Sequence, residues 1–163
     1  MQHNIDYEHM SAEKRLLELG ITLPDPPAPG GNYQPAKTAG NLLFLAGAIS
    51  MQSGAVITGT AGADRSIAEG YAAARACTLT HLAVLKRMLG SLDKVQQIVS
   101  VNGYVNAVPG FASPPAIING ASDLLVEVFG DAGRHARAAI GVSSLPRNAL
   151  VEVQMIVEIE IRD

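Results

Sequence analysis

The chain has 163 residues, of which 48% are apolar and 17% are charged, a composition typical of one ordered globular domain. Its formal net charge is -3 and no segment is rich in Lys or Arg, so we expect no nucleic-acid partner. A single cysteine, Cys77, excludes an intrachain disulfide and a cysteine-based zinc site.

The sequence also argues against a metal site and a membrane span. We predict neither a metal nor a cofactor, because metal-ligand spacing is absent from the four histidines, His3, His9, His81 and His135. Residues 1–15 lack the apolar run of a secretory signal. The longest apolar run, residues 42–49, is far shorter than the roughly 20 residues that cross a bilayer. We therefore expect a cytoplasmic protein.

Residues 1–32 are predicted to form a short helix and a loop. Ser11 is a suitable N-cap for a helix that contains Leu16 and Leu17, and Gly20 is suited to its C-terminal end. Four prolines between residues 23 and 31 remove backbone donors and exclude both a helix and a central strand. The whole chain, residues 1–163, is predicted to form a single domain, and residues 1–32 are its N-terminal helix and lead-in loop.

Short β-strands are predicted after Tyr33. Their composition places them at residues 34–39, 42–49 and 56–58, with turns at Gly40 and Gly54. Because strands that follow one another through tight turns usually pair, this segment predicts an antiparallel meander.

A long helix is predicted to follow the meander. Ser66 and Glu69 have the spacing of a capping box, and apolar residues at steps of three and four continue to Leu89, where Gly90 ends the helix. Cys77 has no basic neighbour suited to activating it, so we expect it to be a packed structural residue.

A central strand and a second long helix come next. Residues 95–105 have a β-rich composition. Ser113 is the predicted N-cap of the helix, Pro114 and Pro115 suit its first turn, and Gly130 ends it.

Two final strands are predicted at residues 137–142 and 150–161. In the last one, apolar residues alternate with polar ones such as Glu152, which gives one apolar and one carboxylate-bearing face. Two helices on one side leave the other face of the sheet in need of a partner, often a second copy of the chain. The predicted fold class is α+β, with a mixed sheet covered on one face by two long helices.

The sequence ARAAIGVSSLP at residues 136–146, followed by Val-Glu-Val at 151–153, resembles the C-terminal signature of the RidA/YjgF family. This family is also called the liver perchloric-acid-soluble protein or endoribonuclease L-PSP family. Further matches are Tyr33 before Gly40 and Asn41, Gly47 at the end of an apolar strand, and Asn119 early in the second long helix. The resemblance covers roughly residues 33–161, and the extra N-terminal helix indicates a divergent branch.

The resemblance implies a chorismate-mutase-like fold, a homotrimer with clefts between subunits, and hydrolytic deamination of reactive 2-imino acids. By motif position, Arg137 would hold the substrate carboxylate and Glu152 would position the hydrolytic water. Tyr33, Gly47, Asn119 and Ala139 match family positions that line the cleft.

The chemistry of these residues is compatible with such roles but does not require them. Arg137 offers a planar fork of donors for a carboxylate, although a strand-end arginine also forms interchain ion pairs or faces solvent. Glu152 is suited to accept a proton from water, or it is one of several solvent-facing carboxylates. The ring of Tyr33 would cover a ligand or pack on the lead-in loop.

Three departures from the family pattern favour an alternative function. Ala46 and Ala139 stand where active deaminases commonly have serine and cysteine, and Gly141 replaces a frequent acidic residue. The alternative is a regulatory trimer that binds a small carboxylate without turnover. An endoribonuclease is less favoured, because the chain is acidic and poor in aromatic residues.

Overall fold

The structure is a computed structural model that describes residues 11–161. Residues 1–10, which include His3, His9 and the first part of the predicted lead-in, lie outside the described residues. The helices and strands are α1 Ala12–Glu18, β1 Ala36–Ala39, β2 Leu42–Leu45, β3 Ala48–Ile49, β4 Met51–Gln52, β5 Ala55–Val56, α2 Ile67–Leu89, β6 Val95–Asn106, α3 Pro114–Phe129, β7 Ala136–Val142 and β8 Val151–Ile159.

A mixed sheet forms the centre of the fold, with the strand order β1-β2-β8-β6-β7 and with β3 also paired to β8. The pairing of β6 with β7 is parallel, and the pairings of β8 with β2, β3 and β6 are antiparallel. Helices α2 and α3 pack against each other and cover one face of this sheet. The predicted α+β class, with two long helices on one face, is confirmed.

Helix α2 has the predicted ends. Ser66 Oγ accepts a hydrogen bond from the Glu69 amide at 3.1 Å, and the Glu69 carboxylate accepts one from the Ser66 amide at 2.8 Å. Gly90 closes the helix with a φ of 83°, a left-handed conformation that favours glycine. The helix buries Cys77 and Leu82 against the sheet.

The predicted N-cap of α3 is only partly correct. Helix α3 begins at Pro114 after Ser113, but the Ser113 side chain accepts no capping hydrogen bond. A cap side chain normally accepts from the amide of the second or third helical residue. The second residue here is Pro115, which has no N–H.

The predicted strand 42–49 is wrong as one continuous strand. Phe44 pairs with Ile156 and Ala48 pairs with Val153, so four steps along β2 and β3 correspond to three along β8. This extra residue forms a bulge that separates the two strands at residues 46–47. The bulge brings the backbone of Gly47 against β8.

The predicted meander is also wrong in part. Two hairpins form, β1-β2 and β4-β5, but they belong to different sheets, and β2 pairs with β8 at the far end of the chain. Local turn patterns indicate which neighbours form hairpins, whereas the partner of β2 is set by a contact more than 100 residues away. Thr58 forms only an isolated bridge with Ala149.

The alternation in β8 divides the sheet into two faces. Val151 and Val153 are fully buried under the helices, whereas Glu152 and Gln154 point to the other face, which we call the open face. The predicted end of this strand is wrong by two residues, because β8 stops at Ile159.

Candidate functional site

Arg137 lies on the edge strand β7, on the side of the sheet that the helices cover. It pairs with Val101 of β6, whose side chain is fully buried under the helices. The guanidinium group reaches α3, where Nη1 donates to Asn119 Oδ1 at 2.8 Å and to Ser122 Oγ at 3.1 Å. Ala139 lies two residues further along β7 and is partly buried on the same side. We call Asn119, Ser122, Arg137 and Ala139 the arginine half-site.

Glu152 lies on the open face, against the bulge between β2 and β3. A Cβ atom added at Gly47 would lie 3.0 Å from Glu152 Oε2, so the carboxylate rests on this glycine. Burial raises the pKa of Glu152 above its ordinary value. The described residues donate no hydrogen bond to this carboxylate to offset that effect. Because its pKa is raised, this half-buried carboxylate accepts a proton more readily than an exposed one.

A shallow cleft of about 450 Å³ opens beside the Glu152 carboxylate. It is lined by Tyr33, Gln34, Lys37, Phe44, Leu45, Ala46, Gly47, Glu152 and Gln154. We call this cleft the glutamate half-site. A larger depression of about 520 Å³ lies between α1 and α2, but it contains none of the predicted site residues.

Tyr33 lies between the lead-in loop and the cleft. It lines the cleft, and its ring is half exposed. Its hydroxyl oxygen also accepts a hydrogen bond from the Gly30 amide at 3.0 Å, which ties the lead-in loop to the mouth of the cleft.

Within one chain the two half-sites are far apart. Arg137 is aligned with Val101 and Glu152 with Tyr104, on strands that lie on opposite sides of β6. With usual strand spacings, their backbones are separated by about 10 Å along the strands and about 10 Å across them. Their side chains also leave opposite faces of the sheet. The two side chains of one chain therefore do not converge on a common small ligand.

Helix α2 supports the Glu152 backbone from the buried side. The Cys77 thiol lies 3.5 Å from the oxygen of Val151, and His81 Nε2 lies 2.6 Å from the oxygen of Val153. Burial lowers the pKa of His81 to about 4, so this ring is neutral at neutral pH. Burial, reinforced by the nearby Glu152 carboxylate, raises the pKa of the Cys77 thiol, which therefore is a packed residue and not a nucleophile.

Ser122 and His135 are neighbours of Arg137 that the sequence interpretation missed. The spacing of these residues is a signal that could have found them. Ser122 follows Asn119 by three residues on a helix, and His135 precedes Arg137 by two residues on an extended segment. Each pair therefore shares a side of its element.

Two classes of feature are absent from residues 11–161. No helix in this range is long and apolar enough to span a membrane. No group of three His, Cys, Asp or Glu side chains in it is arranged to hold a metal ion.

Comparisons with known proteins agree with this architecture. Residues 13–159 match the model of the YjgF/chorismate-mutase-like endoribonuclease family. Protein TCP17 of Trypanosoma cruzi is 43% identical over 146 residues, which cover 88% of this chain and 91% of that protein. A protein of Dermatophagoides farinae named 2-iminobutanoate/2-iminopropanoate deaminase is 30% identical over 142 residues, covering 86% of this chain and 95% of that protein.

A solved structure extends the similarity to three dimensions. The crystal structure of an Agrobacterium tumefaciens protein of unknown function has a TM-score of 0.84 and 44% identity, with 94% of each chain covered. Because the family model spans most of the chain, the protein belongs to the YjgF/chorismate-mutase-like endoribonuclease family, as its resemblance to RidA/YjgF proteins predicted.

Proposed function

We propose that this protein hydrolyses reactive 2-imino acids to 2-oxo acids and ammonia. The observation that carries the proposal is the pair of complementary half-sites. One has an arginine whose Nε donates to none of the residues 11–161, and the other has a half-buried glutamate with a raised pKa. The similarity to a protein named as a 2-imino acid deaminase supports the substrate class.

The two half-sites are proposed to meet between neighbouring copies of the chain in a homotrimer. The open face carries large apolar side chains that remain exposed in one chain, with Phe44 at 41% and Ile140 at 49%. A face of this kind is typical of a surface that pairs with another copy. Assembly would bring Arg137 of one copy toward Glu152 of its neighbour.

The chemistry requires a carboxylate anchor and one general base. Arg137 binds the carboxylate of the 2-imino acid, which places C2 beside Glu152. Glu152 accepts a proton from water while the water oxygen bonds to C2, and the C2–N double-bond electrons move to nitrogen. Glu152 returns this proton to the nitrogen and then carries the hydroxyl proton of the resulting carbinolamine to the same nitrogen. The C2–N bond breaks as ammonia leaves, and the C2–O double bond of the 2-oxo acid forms. Tyr33 and Gly47 of the glutamate half-site, and Asn119 and Ala139 of the arginine half-site, are proposed to line the composite site.

A direct test generates 2-iminopropanoate with an amino-acid oxidase and follows its disappearance in the presence of each variant. We expect Arg137→Ala and Glu152→Gln to lower kcat/KM by about a hundredfold or more. Matched controls are Arg134→Ala and Glu160→Gln, which change exposed residues of the same types outside both half-sites. If the wild-type protein is no faster than buffer, hydrolysis is excluded.

A second candidate function is carriage or sensing of a small carboxylate without turnover. The observation that favours it is Ala46, which lines the cleft beside Glu152 and offers no hydroxyl group to the ligand. Under this alternative, 2-oxo acids raise the melting temperature through Arg137 while 2-imino acids are lost no faster than in buffer.

A further inference from the structure

A row of hydrogen bonds extends behind Arg137. Ser122 Oγ, which accepts from Arg137 Nη1 at 3.1 Å, also lies 2.9 Å from His135 Nε2. The other ring nitrogen, His135 Nδ1, lies 2.6 Å from the backbone oxygen of Gly133. The row thus connects the guanidinium group through α3 to the segment that precedes β7.

The backbone oxygen of Gly133, at the end of the row away from Arg137, determines which atom donates in each hydrogen bond. A backbone oxygen only accepts, so Nδ1 of His135 must carry a proton. In the neutral ring Nε2 is then an acceptor, and the Ser122 hydroxyl donates to it. This leaves the lone pairs of Ser122 Oγ for Arg137.

These contacts also decide which edge of the guanidinium group remains available. Asn119 and Ser122 together take both hydrogens of Nη1. Nη2 reaches the Pro115 oxygen only at 3.5 Å, and Nε donates to none of the residues 11–161. The edge formed by Nε and Nη2 carries two parallel donors, which match the two oxygens of a carboxylate.

We propose that Ser122 and His135 are positioning residues for Arg137, and that the neutral His135 ring orients the Ser122 hydroxyl so that the Nε–Nη2 edge faces the ligand carboxylate. The inference rests on the proposed function, because it assumes that Arg137 is the carboxylate anchor. It adds the condition that tight binding requires unprotonated His135.

The charges around His135 are few. Those on the elements packed against it are Arg134 and Arg137 in its own segment, Asp131 just before it, and Asp123 and Glu127 on α3. Asp131 pairs with Arg134 at 3.3 Å, and the α3 carboxylates bond to Tyr71 and Arg75 of α2. Burial lowers the pKa of His135, the hydrogen bond to Gly133 partly offsets this, and Arg137 reinforces it.

Protonation of His135 reverses one hydrogen bond. Nε2 becomes a donor, so the Ser122 hydroxyl loses its acceptor and has to rotate. The imidazolium also repels the Arg137 guanidinium through Ser122. An added positive charge alone would attract an anion more strongly, so weaker binding at low pH is the specific signature of lost positioning.

The test measures binding of 2-oxobutanoate, which stays ionised over the whole range, by titration calorimetry. At about pH 7.5 we expect Ser122→Ala to weaken binding about tenfold and Ser122→Thr, which keeps the hydroxyl, to restore most of it. Between about pH 7.5 and the lowest pH at which the protein stays folded, binding by the wild type should weaken more steeply than binding by His135→Gln, whose amide oxygen accepts without titrating. Ser144→Ala, which changes an exposed serine in the loop after β7, is the matched control.

The outcomes separate this inference from the proposed function. Tight binding of 2-oxobutanoate without hydrolysis of the imine would contradict the proposed deaminase function, but it would leave the positioning role of Ser122 and His135 in place. Equal binding by wild type and Ser122→Ala, or identical pH dependence in wild type and His135→Gln, would overturn the positioning role alone. Equal binding by wild type and Arg137→Ala would overturn both. Glu152 titrates alike in wild type and His135→Gln, so its contribution cancels in the comparison.

Discussion

Gly47 leaves the space in which the Glu152 carboxylate lies. Its backbone φ is not in the left-handed region, so alanine can adopt it. The new Cβ would lie 3.0 Å from Oε2 and 3.1 Å from Cδ of Glu152, which forces the carboxylate to move by a few tenths of an ångström. We expect Gly47→Ala to lower kcat/KM for 2-iminopropanoate about tenfold, because small displacements of a catalytic group are costly.

Gly141→Ala provides the control for this substitution. Its Cβ would lie 3.7 Å from Ala107, an ordinary contact, and its φ is also outside the left-handed region. Both variants should melt near the wild-type temperature, and only Gly47→Ala should lose activity. Full activity in Gly47→Ala would show that hydrolysis does not depend on the position of this carboxylate.

Helix α2 and strand β8 are joined by a buried histidine, which gives the fold a pH-dependent stability. The folded pKa of His81 is about 4, below the ordinary 6.5, so the unfolded chain binds more protons between these values. Above about pH 6.5, His81 does not reduce the free energy of unfolding. As the pH falls toward 4, protonation of His81 in the unfolded chain lowers the free energy of unfolding by up to roughly 3 kcal/mol.

Urea unfolding between about pH 7.5 and about pH 4.5 measures this slope. His81→Gln keeps a donor for the Val153 oxygen without titrating, so its free energy of unfolding should fall less steeply with acidity. Protonation of His135 also lowers the free energy of unfolding at acid pH, and the His135→Gln variant measures the size of this contribution. Parallel slopes in wild type and His81→Gln would contradict the assignment.

The elements that the sequence predicts well are those with local signals. The ends of α2 follow from Ser66, Glu69 and Gly90, because each acts within a few residues of itself. The break between β2 and β3 has no such signal, since it arises from a register with β8 more than 100 residues away.

The same distinction applies to the candidate site. Alternation in β8 predicts that Glu152 faces away from the core, and the structure confirms it. The face of the sheet on which the Arg137 side chain lies cannot be predicted in this way, because β7 is rich in Ala and Gly and polar residues do not alternate along it. Its direction is set by Asn119 and Ser122 on α3, which only the packed structure brings near.

At the scale of the whole molecule, the sheet separates the two half-sites that the proposed hydrolysis requires together. The arginine half-site lies under α3 at the β7 edge, and the glutamate half-site lies at the bulge on the open face. Under the proposed function, one chain alone lacks a complete site, and we expect activity to depend on assembly.

Mixed assemblies of two inactive variants test this arrangement. Arg137→Ala keeps an intact glutamate half-site and Glu152→Gln keeps an intact arginine half-site. If each site takes one half from each of two neighbouring copies, unfolding and refolding an equal mixture should recover about a quarter of the wild-type rate, because a quarter of the sites pair two intact halves. Each variant refolded alone should stay inactive. A mixture that also stays inactive, while native mass spectrometry shows mixed trimers, would place both residues in sites built from a single chain.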